Sequence, residues 1–485
     1  MARQSREWSE NLLAISKEEE QMREKKELTR RDFLRLSAAA ATGAIVAACA
    51  PATPQIVEKE VIKEVEKVVT ATPRPVTGPV TIRYTHVADP GELEIRQANI
   101  ADFEEKYPDI KLVEELVPED GMAQKITTMV AGGAAPDTVY LHPSMVPLYA
   151  EQNVLLPQDD MADSDAEFGA DDFFDVTLDY FVYKGKTYGY PYYSGPIVTF
   201  YNKTMFDEMG VEYPTEYSEG FKDGKDEWTR DKMLELAQRL TKGTGAEKTF
   251  GVWATTNSLH WLCAVIWSFG GNVWDEDMTK CLLTEPAAIE ALKFQTDLFV
   301  KYNVAPLPDQ QEGLPGGFLS GKCGMDDCGI RADVPGMKGL DWEVGIAPVP
   351  KGPAGRFCRN GPNAQAIVAT TRFPEACWEF VKYMCGPKPG ELGGQRFEFE
   401  QQRAIPSRRS LFDSPAFLDN LLPWEDAEVY RDAADHVRPF PLPARYAEIQ
   451  TAWREQWDAI LLGQKSVEEA AKAGCQAMDE FLAGA

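Results

Sequence analysis

Histidine, and cysteine at metal-binding spacing, are scarce in this sequence. The 485 residues include only four histidines (His86, His142, His260 and His436), and none of the nine cysteines falls in a C-x-x-C pair. Structural zinc sites need clustered Cys or His ligands at short spacing. The sequence therefore predicts no metal site.

Recognisable disulfide pairs are also lacking. Cys49 has a separate role, described below, which leaves eight cysteines, and an even number in an exported protein permits disulfides. Cys323 and Cys328, or Cys377 and Cys385, are close in sequence, but spacing does not decide whether they pair. The alternative of free buried thiols stays open at this point.

Positive charge is in short supply. The chain has 50 Lys and Arg against 77 Asp and Glu, which gives a net charge of −27. Because binding to nucleic acid requires basic surface, we expect no nucleic-acid partner. The acidity identifies no ligand, since a soluble and self-repelling surface explains it.

Catalytic motifs are missing as well. The sequence has no G-x-S-x-G nucleophile elbow, no P-loop and no H-E-x-x-H motif. Adjacent acids occur at Asp159-Asp160, Asp171-Asp172 and Asp326-Asp327. Two glycosidase carboxylates must instead flank a substrate bond, and an acidic chain produces adjacent pairs by composition alone. We expect a protein that is not an enzyme and needs no cofactor.

The most specific feature present is an export signal. The basic segment Thr29–Arg35 is followed by an uncharged, small-residue run from Leu36 to Ala48, which is too short to span a bilayer. Arg30 and Arg31 resemble the twin-arginine signal of bacteria and archaea. The run ends in Cys49, in a context similar to a bacterial lipobox. We therefore expect residues 1–49 to be a lipoprotein signal peptide with Cys49 lipidated.

A short charged segment follows this signal. Residues 50–79 contain five prolines around a Glu/Lys-rich stretch in which Val57, Val61 and Val65 recur every four residues. This spacing could mark one face of a helix, but β-branched residues are weak helix formers. We interpret the segment as a tether to the membrane, with a small coiled-coil oligomerisation element as the alternative.

The body of the chain alternates predicted strands and helices. Strands are predicted over 80–85, 110–117 and 138–141, and helices over 92–107 and 121–133. This alternation favours an α/β fold with a largely parallel sheet. Ligands of such sheets bind beyond the carboxyl ends of the strands, which puts 86–92 and 140–143 at a candidate site.

Several segments, in order, resemble the family-1 extracellular solute-binding proteins of ABC transporters, the group that contains maltose-binding and other sugar-binding proteins. The segments are Phe103–Lys111, Ala131–Asp137, Tyr183–Pro191 with Phe200–Lys203, Trp267–Asn272, Phe318–Lys322, Ile346–Pro353, Ala376–Tyr383, Ile460–Gly463 and Val467–Ala470. Each segment is weak alone, but their order over some 400 residues is specific.

The resemblance implies a two-lobed periplasmic-binding-protein fold of type II, with a ligand cleft between lobes joined by a hinge of several crossings. By analogy, the N-terminal lobe comprises 80–192 and about 350–385, and the C-terminal lobe 193–349 and about 386–485. It also implies a lipid-anchored, extracytoplasmic receptor that passes a carbohydrate or related solute to membrane permease subunits. The alternatives are an exported carbohydrate-active hydrolase and a structural or adhesive surface lipoprotein.

Sugars need aromatic platforms together with planar polar groups. The aromatic candidates are Tyr140, Tyr193, Trp261 and Trp267, each with ordinary core packing as the alternative. Arg331 stands where sugar-binding relatives often have tryptophan. It predicts either an acidic or phosphorylated ligand or a salt bridge to Asp326, Asp327 or Asp333.

Four further polar residues complete the predicted site. Arg359 and Asn360 follow the second expected crossing, where a loop can present polar groups to a ligand. His86 and Glu92 follow the first strand and could bond hydroxyl groups. Neutral sugars, oligosaccharides, sugar acids, sugar phosphates, polyols and peptides all remain possible solutes.

Overall fold

The computed structural model describes residues 78–87, 90–118, 121–254 and 257–483. The predicted signal peptide with Arg30, Arg31 and Cys49, and nearly all of the tether, lie outside the described residues. Among the described helices, none combines the length and the apolar character that a membrane span requires.

Strands and helices alternate along most of the described chain. The strands are β1 (Val80–His86), β2 (Ile110–Leu116), β3 (Thr138–Leu141), β4 (Val182–Tyr183), β5 (Lys186–Thr187), β6 (Tyr190–Tyr193), β7 (Val198–Asn202), β8 (Phe250–Trp253), β9 (Cys323–Gly329), β10 (Val344–Ala347) and β11 (Asn363–Ile367). The helices are α1 (Pro90–Lys106), α2 (Met122–Ala131), α3 (Val146–Glu151), α4 (Asp159–Ser164), α5 (Asp175–Leu178), α6 (Lys203–Met209), α7 (Pro214–Ser218), α8 (Arg230–Leu240), α9 (Leu259–Ser268), α10 (Pro286–Val300), α11 (Pro308–Gln311), α12 (Val334–Met337), α13 (Pro374–Cys385), α14 (Gln395–Glu400), α15 (Arg409–Phe412), α16 (Pro415–Leu418), α17 (Ala427–Asp435), α18 (Tyr446–Leu461) and α19 (Val467–Leu482).

The first lobe is built on a five-stranded sheet in the order β2-β1-β3-β11-β6. β1 pairs in parallel with both β2 and β3. The predicted elements over residues 80–141 are confirmed to within about two residues, because buried apolar strands and Pro- or Gly-terminated helices leave clear patterns.

The prediction of a largely parallel sheet is wrong beyond these three strands. β11 runs antiparallel to β3 and to β6. The chain returns from the second lobe before it forms β11, so this interior strand runs in the opposite direction to the other four strands of the sheet. In the second lobe, the sheet order is β10-β7-β9-β8, and only β8 and β9 are parallel.

Two segments that connect the lobes run side by side. The first leads from β6 to β7, and the second leads from β10 to β11. Gly361 N donates to Gly195 O at 3.2 Å, and Ile197 N donates to Arg359 O at 3.3 Å. The two crossings therefore form a short antiparallel ladder, with an isolated bridge between Pro196 and Asn360.

The third crossing lies further along the chain than the expected division at residue 385. Arg96 of α1 pairs with Glu398 of α14 at 2.7 Å, and Arg408 forms a bridge with Phe173. These contacts join residues 395–412 to the first lobe. The chain reaches the second lobe by Trp424, whose ring packs 5.9 Å from that of Phe200 on β7.

One disulfide connects distant parts of the second lobe. Cys281, ahead of α10, bonds to Cys475 of α19, with Cα atoms 5.1 Å apart and a sequence separation of 194 residues. The close-sequence candidates are not bonded. The free cysteines of the described residues are Cys263, Cys323, Cys328, Cys358, Cys377 and Cys385.

Because this disulfide closes a long loop in the unfolded chain, its loss should lower the free energy of unfolding by about 2–5 kcal/mol. We expect Cys281→Ser/Cys475→Ser to show this loss in urea unfolding, and dithiothreitol to reproduce it in the wild type. The double variant, insensitive to the reductant, is the control. A wild-type transition that dithiothreitol leaves unchanged would contradict the assignment.

Candidate functional site

A cavity of about 310 Å³ opens at the carboxyl edge of the β8–β9 pair. Trp253 ends β8 and lies in register with Asp326 of β9, so parallel pairing brings an indole and a carboxyl to the same rim. Trp261, in the first turn of α9, adds a second indole. The lining residues are Trp253, Ala254, Ser258, Trp261, Gln311, Gly316, Phe318, Leu319, Asp326, Cys328, Asp333 and Met337.

The Asp326 carboxyl in this wall is poorly solvated. Asp326 is 8% exposed, and its Oδ1 accepts from Cys328 N at 3.2 Å. Burial, with added repulsion from Asp333 and Asp327, holds the pKa of the Asp326 carboxyl well above its usual range. Carboxyl oxygens on the wall of a cavity can bond the hydroxyl groups of a ligand.

Asp326, Asp327 and Cys328 form the one group of potential metal ligands found in the described residues, with ligand atoms within 4.8 Å of one another. All three come from a single stretch of β9. A single strand segment can offer ligands to a cation from one side only. Structural metal sites use four or more ligands. The expectation of no metal stays a prediction.

In the first lobe, a chain of hydrogen bonds joins three residues at one end of the sheet. Tyr140 Oη donates to Asn363 Oδ1 at 2.7 Å, and Asn363 Nδ2 donates to Tyr193 Oη. These residues lie where β3 and β6 end and β11 begins, at one edge of the sheet. Tyr193 is partly exposed. Glu92, in the first turn of α1, lies 3.5 Å from Arg403.

His86 ends β1 at the same edge, but its ring is fully buried. Its Nε2 lies 2.8 Å from Glu114 Oε1, and Nδ1 lies 3.2 Å from Val87 O. Burial lowers the pKa of His86, although the hydrogen bond to Glu114 acts in the opposite direction. The ring is thus held by its own lobe.

Asn360 lies in the hinge and is 0% exposed. Its Nδ2 donates to Ser194 Oγ at 2.9 Å and to Thr177 Oγ1 at 3.1 Å. Its Oδ1 accepts from Gly195 N at 2.7 Å. These bonds use both the donor and the acceptor atoms of the side-chain amide, and they tie the two crossings together.

Trp267 and Arg331 are both 1% exposed. Trp267 Nε1 donates to Asn272 Oδ1 at 2.8 Å. The Arg331 guanidinium donates to Glu425, Ala404 O and Asn420 O at 2.8, 2.6 and 3.0 Å. Arg331 therefore does form a salt bridge, but the expected partners (Asp326, Asp327 or Asp333) are wrong, because Glu425 arrives from 94 residues downstream.

Trp261 is partly buried, and the guanidinium carbon of Arg359 lies 3.4 Å from its ring centroid. His142 and His260 are close to this pair. Burial, together with the Arg359 charge, lowers the pKa of His142 to about 4 and that of His260 well below its usual range. In this cluster, Arg359 is therefore positively charged and both imidazoles are neutral.

Of the predicted residues, Trp261 lines the cavity and Arg359 stacks on its ring, whereas Glu92 and Tyr193 lie in the first lobe and do not line it. Sequence reasoning missed Trp253, Ser258, Gln311 and Asp326. The usable signal was the apolar run Phe250–Trp253, which reads as a strand whose carboxyl end carries an aromatic residue.

Two lobes joined by paired crossings, with a partly aromatic cavity at the strand ends, define a solute-binding protein. Residues 89–391 match the sequence profile of the family described as bacterial extracellular solute-binding protein. The chain belongs to this family, whose members bind solutes outside the cytoplasm and are not enzymes.

Named relatives agree with this assignment. A Brucella abortus protein described as a binding protein is 25% identical over 312 residues, 62% of this chain and 70% of that one. The maltotriose-binding protein of Pyrococcus abyssi is 23% identical over 61% of each chain. The Listeria monocytogenes ABC substrate-binding protein Lmo0181, solved with cycloalternan, superposes with a TM-score of 0.73 at 22% identity, over 84% of this chain and 99% of that one.

The histidines predict a pH dependence of stability. His142 has a folded pKa of about 4, so the unfolded state binds more protons between pH 6.5 and 4, and stability falls as the pH falls. Because His142 is partly exposed, we expect only about 1–2 kcal/mol of this loss of stability, and it should disappear in His142→Gln, measured by urea unfolding at pH 7 and 4.5.

His436→Gln is the matched control with the opposite sign. The hydrogen bond to Asp432 raises the pKa of His436, so its contribution is present at low pH and lost as the pH rises through that pKa. His436→Gln should therefore steepen the acid loss. An unchanged pH slope in His142→Gln would contradict the account.

Proposed function

We propose that the solute is a carbohydrate or a closely related polyhydroxylated molecule, bound between the lobes and delivered to the permease of an ABC importer. The observation that carries this proposal is the pairing of Trp253 and Trp261 with Asp326 around one cavity. Sugars present apolar C–H faces that pack on indoles, and hydroxyl groups that bond carboxyl and amide groups. The maltotriose and cycloalternan ligands named for similar proteins support the same class.

In this proposal the first lobe supplies the second half of the site. Tyr193 and Glu92 contact the solute, while Tyr140 holds Asn363 in place and His86 supports the end of β1. A ligand favours a closed form only when it contacts both lobes. Asn360, Trp267 and Arg331 act indirectly by holding the hinge and the second-lobe wall.

The platform role of Trp261 is testable by truncation. Trp261→Ala should weaken binding of the best carbohydrate by about 10–100-fold, because aromatic stacking and apolar burial are lost. Isothermal titration calorimetry checks this, after a thermal-shift screen of neutral sugars, sugar acids, sugar phosphates and polyols has identified that ligand.

Trp424→Ala is the matched control, since Trp424 packs against Phe200 and does not line the cavity. It should leave the affinity within about twofold. Equal losses in both variants would refute the platform role. A well-folded wild type that binds no carbohydrate would instead favour the adhesive or structural lipoprotein.

We also propose that the chain is exported through its Arg30-Arg31 signal and anchored by lipid on Cys49. A lipid anchor on Cys49 followed by a charged tether would keep the lobes near the membrane surface while leaving them free to close. The support is the ordered pattern Arg30-Arg31, apolar run and Cys49.

Cys49→Ala should move the protein from the membrane fraction to the soluble extracytoplasmic fraction, because a hydrocarbon anchor is lost. Fractionation and intact-mass measurement of the exported chain test this. Arg30→Lys/Arg31→Lys should instead leave the precursor inside the cell. Membrane association that persists in Cys49→Ala would overturn the anchoring proposal.

A further inference from the structure

Arg359 carries a buried charge that has no ion-pair partner among the described residues, although the Asp333 carboxyl attracts it from beyond ion-pair distance. The residue is 3% exposed, and its guanidinium lies flat on Trp261. Within the described part of the chain, the guanidinium makes no ion pair and donates no hydrogen bond, and its Nε is buried without a partner. Burying an unpaired cation is costly.

The other buried arginines provide an internal comparison. Each of them donates to a carboxylate, a carbonyl or a hydroxyl. The pairs are Arg96 with Glu398, Arg331 with Glu425, Arg356 with Asp226, Arg408 with three backbone carbonyls, and Arg230 with Ser268. Among the six buried arginines of the described residues, Arg359 alone stacks without donating.

The surroundings of Arg359 are shaped to keep it in place. A Cβ at Gly361 would lie 2.6 Å from Arg359 Nη1, so the absence of a side chain at 361 leaves room for the guanidinium. The neighbouring His142 and His260 are neutral and supply no counter-charge. Trp261, which the guanidinium covers, lines the cavity.

We propose that Arg359 binds an anionic group, a carboxylate or a phosphate, on the solute. This inference rests on the carbohydrate proposal and narrows it to sugar acids and sugar phosphates. Asp326 and Asp333 line the same cavity, and either carboxyl in its ionised form would repel an anion placed beside it. A solute that binds both the acidic residues and Arg359 therefore presents hydroxyl groups to the acids and its single anionic group to Arg359.

The test compares matched ligands on the whole chain by isothermal titration calorimetry. The panel contains neutral hexoses and disaccharides, the corresponding uronic acids, and the corresponding hexose phosphates. At least one acidic member should bind about tenfold or more tightly than its neutral counterpart, because a charge-assisted bidentate contact is gained. The uronic acid and phosphate series show which anion is preferred.

Variants then assign that preference to one residue. Arg359→Met keeps an apolar stem against Trp261 and should abolish the preference for the anion, while Arg359→Lys should retain part of it. Arg372→Met is the matched control, because Arg372 is exposed and lies 5.7 Å over Phe373, away from the cavity. It should leave the preference unchanged.

The ligand-free melting temperature gives a second readout. Removing an unpaired buried charge should leave Arg359→Met as stable as the wild type or more so. A lower melting temperature with an intact preference would show a purely structural role. Equal affinity for neutral and acidic sugars would overturn this inference alone, whereas failure of every sugar to bind would overturn the carbohydrate proposal as well.

Discussion

The side-chain amide of Asn360 is the contact on which the arrangement of the two lobes depends. It bonds Thr177 of the first lobe and Ser194 and Gly195 of the first crossing, while its backbone lies in the second crossing. The backbone carbonyl oxygen of Asn360 also lies 3.2 Å from His260 Nε2 in the second lobe. The crossings can therefore twist as one unit, and Arg359, the adjacent residue, is held against Trp261 by the same ladder.

Buried ion pairs stiffen the walls on either side of this hinge. Arg96 with Glu398 fixes α1 to α14, and Arg331 with Glu425 fixes the second-lobe wall behind the cavity. Such pairs add little net stability, but breaking one is costly, so we expect them to keep each wall intact when the hinge moves. The groups left available to a solute are then few, and closure depends on contacts that span both lobes.

Local patterns predicted the first lobe well, because strand and helix signals near residues 80–141 depend on neighbours in sequence. Local patterns could not predict contacts between residues that are far apart in sequence. Glu425 lies 94 residues from Arg331, and Cys475 lies 194 residues from Cys281. The antiparallel return of β11 likewise follows from the hinge, which no local periodicity records.

The two tryptophans of α9 show where sequence reasoning could have gone further. Trp261 and Trp267 are six residues apart, about 1.7 helical turns, so they lie on different faces of the helix. The two rings therefore cannot both face one cleft, and the structure leaves Trp261 partly exposed while Trp267 is buried. Periodicity excludes a shared face, but which of the two faces the cavity depends on how α9 packs.

Small-angle X-ray scattering of the whole chain, with and without a saturating solute, tests most directly whether the protein is a hinged receptor. The account predicts that a solute bound in the cleft reduces the radius of gyration, because contacts to both lobes favour the closed form. A solute that saturates the protein without changing its scattering would contradict the claim that binding depends on both lobes.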